Sequence, residues 1–276
     1  MPWADDAQVE QDLVLSRALV ELFGESTLTG KIALRGGTAL NKLFIQPPSR
    51  YSEDIDLVQA APGPIGTILD AMRKRLDHWL GLPKRSSSEG SVTLLYRFES
   101  EIPPVRPLRL KVEINTREHF SVLGIAARSF SVANPWFSGT CEVATFQLDE
   151  LLGTKLRALY QRRKGRDLFD LWHCLTSGNV VVDQVLKCFA AYMKHEKHTV
   201  SRAEFERNLH EKALDAAFLG DLTPLLAGNV LYDSGAALDL VRERIVARLP
   251  GEPWRGVTSD RGATPTRTPP PKRRRG

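Results

Sequence analysis

Two short stretches of this chain carry residue types that do chemistry together, Gly36-Gly37-Thr38 and Asp54-Ile55-Asp56. A glycine pair opening a helix lets backbone N–H groups, backed by the positive end of the helix dipole, face a phosphate without any side-chain charge. Two carboxylates flanking one residue on a strand project from the same face, where they can hold a divalent cation. Magnesium keeps several waters and bridges to phosphate oxygens, so such a pair together with a triphosphate forms a sufficient set. The chemistry implied is the handling of a nucleoside triphosphate (NTP) with Mg2+ as the cofactor, Gly36, Gly37 and Thr38 binding the nucleotide and Asp54 and Asp56 the metal.

The elements that must position these groups can be read from pattern. Lys31 to Arg35 reads as a short strand, the glycines make the tight turn, and Thr38 is expected to cap a helix through Ala39 to Phe44. In Ser52 to Val58 the alternation puts Ile55 and Leu57 on one face and both aspartates on the other. Leu108 to Asn115 alternates strictly, with Leu108, Leu110, Val112 and Ile114 inward and Arg109, Lys111, Glu113 and Asn115 outward. Glu113 is a candidate third carboxylate on a neighbouring strand, as metal ligand or as acceptor of a hydroxyl proton. Taken alone, a glutamate of this kind sits more often on a solvated strand face, so its value depends on the pair.

A separate anomaly lies downstream. From Gln147 to Tyr160 the apolar stripe runs through Leu148, Leu151, Leu152, Leu156 and Leu159, and Lys155 falls inside it. An ammonium group on a core-facing helix surface needs an anionic partner, a nucleotide phosphate or a carboxylate, or must reach out along its alkyl stem. Asp167 and Asp170 share one face of the following helix, whose buried side is supplied by Leu168, Leu171, Trp172 and Leu175. Either aspartate can pair with Lys155 and hold it for a phosphate; ordinary surface ion pairing is the alternative.

These motifs together resemble a known family. Leu34-Arg-Gly-Gly-Thr-Ala-Leu, Arg50-Tyr-Ser-Glu-Asp-Ile-Asp-Leu, the Lys-Val-Glu-Ile strand, Glu150-Leu-Leu-Gly-Thr-Lys-Leu-Arg-Ala-Leu-Tyr-Gln-Arg and Arg166-Asp-Leu-Phe-Asp-Leu look like the AbiEii-type nucleotidyltransferase toxins. The mycobacterial MenT toxins belong to the same group. The likeness spans roughly residues 30 to 175, and several motifs in one order are far more specific than any one of them. It implies an α+β fold, a polymerase-beta-like nucleotidyltransferase core with a mixed sheet followed by a helical C-terminal domain. It also implies the toxin role of a type IV toxin–antitoxin or abortive-infection system, with a cognate antitoxin as partner.

By the same resemblance Gly37 and Thr38 contact the triphosphate, Asp54 and Asp56 carry magnesium, and Lys155 matches an essential lysine. Asp167 or Asp170 matches an essential aspartate, the spacing after Lys155 favouring Asp170, and Glu113 is the weakest transfer. The implied reaction is in-line attack of a hydroxyl on the alpha-phosphorus of an NTP, with tRNA as the acceptor at its 3′ end and aminoacylation blocked. Alternatives are a nucleotidyltransferase acting on a protein or small molecule, and an inactive homologue that binds nucleotide or RNA.

Bulk properties set the frame. With 276 residues and 42% hydrophobic content the chain can bury a sizeable core. The expected division is 1–146 as the nucleotidyltransferase core, 147–250 as a helical domain and 251–276 as a disordered, basic, Pro-rich tail. From Gly251 onward seven basic residues face Glu252 and Asp260, a surplus equal to the net charge of +5, so the body is neutral. The basic tail therefore does not mark the folded part as a nucleic-acid binder, although it can add salt-dependent phosphate contacts. A local cluster at Arg157, Arg162, Arg163, Lys164 and Arg166 lies next to the proposed site and suits an approaching RNA backbone.

No apolar run reaches the roughly 20 residues of a membrane helix, and the N-terminus lacks a basic region followed by an apolar stretch. Cys141, Cys174 and Cys188 are too few and too irregular for a disulfide framework or a zinc site. A cytoplasmic location without membrane association is expected. Among other elements, Gln8 to Phe23 and Ile65 to Leu80 read as helices, Ser86 to Ser91 as a loop, Val92 to Phe98 as a strand and Phe120 to Phe146 as short strands. His195 and His198, set among Lys194, Glu196 and Lys197, read as a solvated helix face rather than a metal site.

Overall fold

The computed structural model describes residues 2–3, 5–228 and 230–256; most of the Pro-rich basic tail lies outside the described residues. Helix α1 (Asp6–Phe23) starts where the Asp5 carboxylate accepts a hydrogen bond from the Ala7 amide. Strand β1 (Ile32–Arg35) leads directly into α2 (Gly36–Leu43), and β2 (Asp54–Gln59), α3 (Gly66–Leu80), β3 (Lys84–Ser88), β4 (Ser91–Glu99) and β5 (Pro107–Asn115) follow. A hairpin of β6 (Ile125–Ala133) and β7 (Ser138–Phe146) completes the sheet. The rest is helical: α4 (Leu148–Gln161), α5 (Gly165–Thr176), α6 (Val182–His195), α7 (Arg202–Ala213), α8 (Ala216–Gly220) and α9 (Ser234–Arg244).

The strands form one mixed sheet in the order β3-β4-β5-β2-β1-β7-β6. Strand β2 runs antiparallel to β1 and parallel to β5, and β1 runs parallel to β7. The architecture is α+β, as the motifs imply. Alternation places Ile55, Leu57, Leu110, Val112 and Ile114 in the buried cluster that includes the apolar sides of α1 and α3. It thereby turns Asp54, Asp56, Lys111 and Glu113 to the opposite face. Helix α2 packs on β1, β2 and α4, and α4 in turn packs on α5 and α6, which carries the same core into the helical half.

Three local expectations need correction. The serine run predicted as a loop over Ser86 to Ser91 is the edge strand β3 with a tight turn at Glu89-Gly90, paired in register with β4 from Lys84↔Leu95 to Ser88↔Ser91. Every β3 side chain is exposed, so no apolar alternation marks it; the backbone ladder alone makes the strand. The short strands expected between Phe120 and Phe146 are two paired strands of nine residues each. Thr38 does not cap α2: Arg35 holds the N-cap position without a side-chain cap bond.

Candidate active site

The parallel register of β2 and β5 sets Asp54 beside Lys111 and Asp56 beside Glu113. All four side chains are partly exposed and line a cleft of about 360 Å³, together with Arg35, Gly36, Gly37, Arg50, Lys155 and Arg162. A volume of this order suits a nucleotide-sized ligand. The expected site residues Asp54, Asp56, Glu113, Gly36, Gly37 and Lys155 therefore line one cleft.

Gly36 is required by geometry. Its φ is +78°, in the region that disfavours side chains, and a Cβ added there would collide with the Asp56 carboxylate. A Cβ on Gly37 would run into the Arg50 guanidinium. The glycine pair thus brings the first amides of α2 against the carboxylate strand on one side and a buried arginine on the other. Thr38 is fully buried, and its hydroxyl donates to the Asp54 carbonyl at 2.5 Å and lies 2.7 Å from the Ser52 hydroxyl. Its side chain fastens α2 to the start of β2, and Thr38, unlike Gly36 and Gly37, does not line the cleft.

The Asp56 carboxylate has no hydrogen-bond or ion-pair partner among the described residues, and burial raises it above the usual range, with the neighbouring Asp54 charge adding to the effect. Arg35, Lys111 and Lys155 pull the other way without cancelling it. A carboxylate in this situation gains from a cation. The oxygen donors of Asp54 and Asp56 are of the type a hard divalent ion takes, so the pair fits magnesium chemically. Glu113 does not join them in a closed group: the Lys111 ammonium lies 2.9 Å from Glu113 and 3.5 Å from Asp54. Among the described residues no set of three or more His, Cys, Asp and Glu side chains is gathered around a metal position.

The far wall is a buried charge network. Lys155, 6% exposed on α4, is held by Asp167 at 3.0 Å and Asp170 at 2.9 Å, both from α5 and both inaccessible. The lysine in the apolar stripe therefore has carboxylate partners, and it has both. Asp170 also accepts two bonds of 2.7 Å from Arg50, and Asp167 accepts bonds of 2.7 and 2.9 Å from Arg162. Burial works against ionising either aspartate, but Arg50 and Lys155 overcome it at Asp170, and Lys155 and Arg162 at Asp167. Both carboxyls are held well below the usual carboxylate range. Three cations against two anions leave one net positive charge on this wall.

Arg50 is the site residue to which sequence reasoning assigned no role. It is 2% exposed, bridges the glycine turn to α5, and is anchored by the Tyr51 amide bonding the Leu225 carbonyl at 2.8 Å. Its signal was its place in the Arg50-Tyr-Ser-Glu-Asp motif, which carries no periodicity. A second missed group is Glu118, which is paired with Arg35 and at 2.5 Å with Arg157, while Arg157 also meets Glu196 at 3.0 Å. The basic cluster expected to face RNA is thus largely neutralised internally. Arg162 pairs with Asp167, Arg163 with Asp215 and Lys164 with Asp221, and only Arg166 has no ion-pair partner among the described residues. His195 packs at a tilt against Phe120, and His198 stacks on Tyr160.

With the geometry in view, the comparisons with known proteins are specific. Residues 17–240 match the family model of the nucleotidyl transferase AbiEii toxin of type IV toxin–antitoxin systems. Among solved structures, MenT4, a nucleotidyltransferase toxin from Mycobacterium tuberculosis H37Rv, superposes with a TM-score of 0.59 at 17% identity, covering 88% of this chain and 85% of that one. JHP933 from Helicobacter pylori superposes with a TM-score of 0.53 at 17% identity, covering 88% of this chain and 94% of its own. At such identities the likeness is one of fold. No curated protein matches the sequence.

Proposed function

Since the chain belongs to the AbiEii family of nucleotidyltransferase toxins, we propose that its cleft transfers a nucleotide from an NTP to the 3′ end of RNA, with the acceptor end of tRNA as the target and a block of aminoacylation as the outcome. The observation that carries this reading is the convergence of Asp54, Asp56 and Glu113 with the start of α2 and with Lys155 on one cleft. The division into a core over 1–146 and a helical domain over 147–250 belongs to the same proposal, the cleft being walled by β2 and β5 on one side and by α4 on the other. A cognate antitoxin and a cytoplasmic setting follow from the toxin role.

Each group then has a task. The amides of Gly36 and Gly37 take the triphosphate at the positive end of α2, which Thr38 fastens to β2 from beneath. Asp54 and Asp56 would hold magnesium, which when bound offsets charge on the phosphates. Lys155, kept rigid by Asp167 and Asp170, presents the net positive charge of its wall to the departing pyrophosphate. Arg50 keeps that wall against the glycine turn. The RNA hydroxyl attacks the alpha-phosphorus in line, and Glu113, through the carboxylate oxygen that Lys111 leaves free, accepts its proton.

The test is incubation of the purified protein with alpha-labelled NTPs, magnesium and total RNA, beside Asp56→Ala. Label at the 3′ end of tRNA with the native protein, lost in Asp56→Ala, is the expected result. Label on protein or on a small molecule instead would overturn the RNA assignment.

A further inference from the structure

The register that builds the carboxylate face also builds a lysine into it. Lys111 and Glu113 sit on the same face of β5, opposite Asp54 and Asp56 in turn. The Lys111 ammonium occupies the gap between Asp54 and Glu113, at 3.5 and 2.9 Å. That gap is where a second divalent ion would have to bind, because Asp56, the remaining carboxylate, faces the glycine turn. Three carboxylates carry three negative charges; the tethered ammonium lowers this to two, which one divalent ion balances.

The lysine has little reason to leave. Its partners are fixed on the adjacent strand and on its own, so the chain holds the ammonium at a high effective concentration that a free ion must outcompete. The side chains of Lys111, Asp54 and Glu113 are 33%, 36% and 37% exposed, so the gap stays open to the cleft on one side. Of the Glu113 carboxylate, Oε2 is taken by Lys111.

We propose that Lys111 is a built-in cation that stands in for a second metal ion, so that this site takes one divalent ion, between Asp54 and Asp56, instead of two. The inference rests on the carboxylate reading given under the proposed function. Under it, Lys111 is a positioning residue on the acceptor side of the cleft. It steadies Glu113 and Asp54 where a mobile ion would otherwise be recruited.

Counting bound Mn2+ by the loss of its free electron paramagnetic resonance signal, without nucleotide, tests this directly. The native chain is expected to bind one ion, Lys111→Met two, and Arg109→Met, which removes an exposed cation of the same strand outside the cleft, one. Circular dichroism verifies that each variant is folded, and Lys111→Gln is read in the same way should Lys111→Met fail to fold. Two ions on the native chain, or one on folded Lys111→Met and Lys111→Gln, would overturn the inference while leaving the transferase reading standing. No ion on the native chain or on either Lys111 variant would overturn the carboxylate reading itself, and the inference with it.

Discussion

Replacing Asp170 with asparagine should be among the most damaging single changes in the protein, although Asp170 lies beneath the cleft wall. The carboxylate is inaccessible and accepts two 2.7 Å bonds from Arg50 while standing 2.9 Å from Lys155. Asp170→Asn leaves Arg50, Lys155 and Arg162 facing Asp167 alone. Breaking a buried pair by removing one partner costs about 3–5 kcal/mol, because the charge left behind is desolvated without compensation. At about 2–4 °C per kcal/mol for a chain of this size, the melting temperature should fall by roughly 6–20 °C. Arg50→Met should cost a comparable amount. The double variant Arg50→Met/Asp170→Asn removes both charges, and its cost should fall short of the summed single costs by about 2 kcal/mol or more. Urea unfolding of the four proteins at pH 7 measures each term. Single costs below about 0.5 kcal/mol, or strict additivity, would refute the reasoning that this network is tightly coupled.

Three further outcomes are expected. Magnesium should raise the melting temperature of the native chain at neutral pH, by about 2.7 kcal/mol of stability at a hundredfold excess over its dissociation constant. Asp56 explains why: its folded carboxyl titrates above the unfolded value, so deprotonation weakens the fold as pH rises between the two, and a cation relieves this. Asp56→Asn should therefore be at least as stable as the native chain without metal and gain nothing from magnesium in calorimetry. Gly36→Ala should cost more than Gly178→Ala in urea unfolding; both have positive φ, but only Gly36 would drive its Cβ into Asp56, whereas Gly178 has open space. Below the ordinary carboxylate range, stability should be lost as pH falls toward the depressed folded values of Asp167 and Asp170, and calorimetry of Asp170→Asn between pH 5 and 2 should show a shallower acid limb.

Much of the candidate site was legible because its signals are periodic. Alternation in Asp54-Ile55-Asp56 and in Leu108 to Asn115 fixes which side chains share a sheet face, and the structure pairs those faces in register. Lys155 was legible as a misfit in a helical stripe, although its partners were not decided by spacing, and it meets both aspartates. What pattern does not encode is contact between distant segments. Arg50 reaches Asp170 across 120 positions, and Glu118 reaches Arg157 across 39, so neither pairing leaves a local trace. Thr38 shows the limit of capping rules: a threonine near a helix start was expected to serve the helix, but the closeness of β2 offered its hydroxyl the Asp54 carbonyl instead. The serine strand β3 was missed because an edge strand with two solvated faces has no hydrophobic period to read.

The proposed mechanism requires one cleft to gather a cation at Asp54 and Asp56 and a triphosphate at the start of α2. Anomalous scattering from a crystal soaked with Mn2+ and a nonhydrolysable NTP locates both at once. A manganese peak in contact with both aspartates and with phosphate oxygens, and phosphates against the Gly36 and Gly37 amides, are expected. A nucleotide bound elsewhere, or a metal peak away from Asp54 and Asp56, would contradict the mechanism.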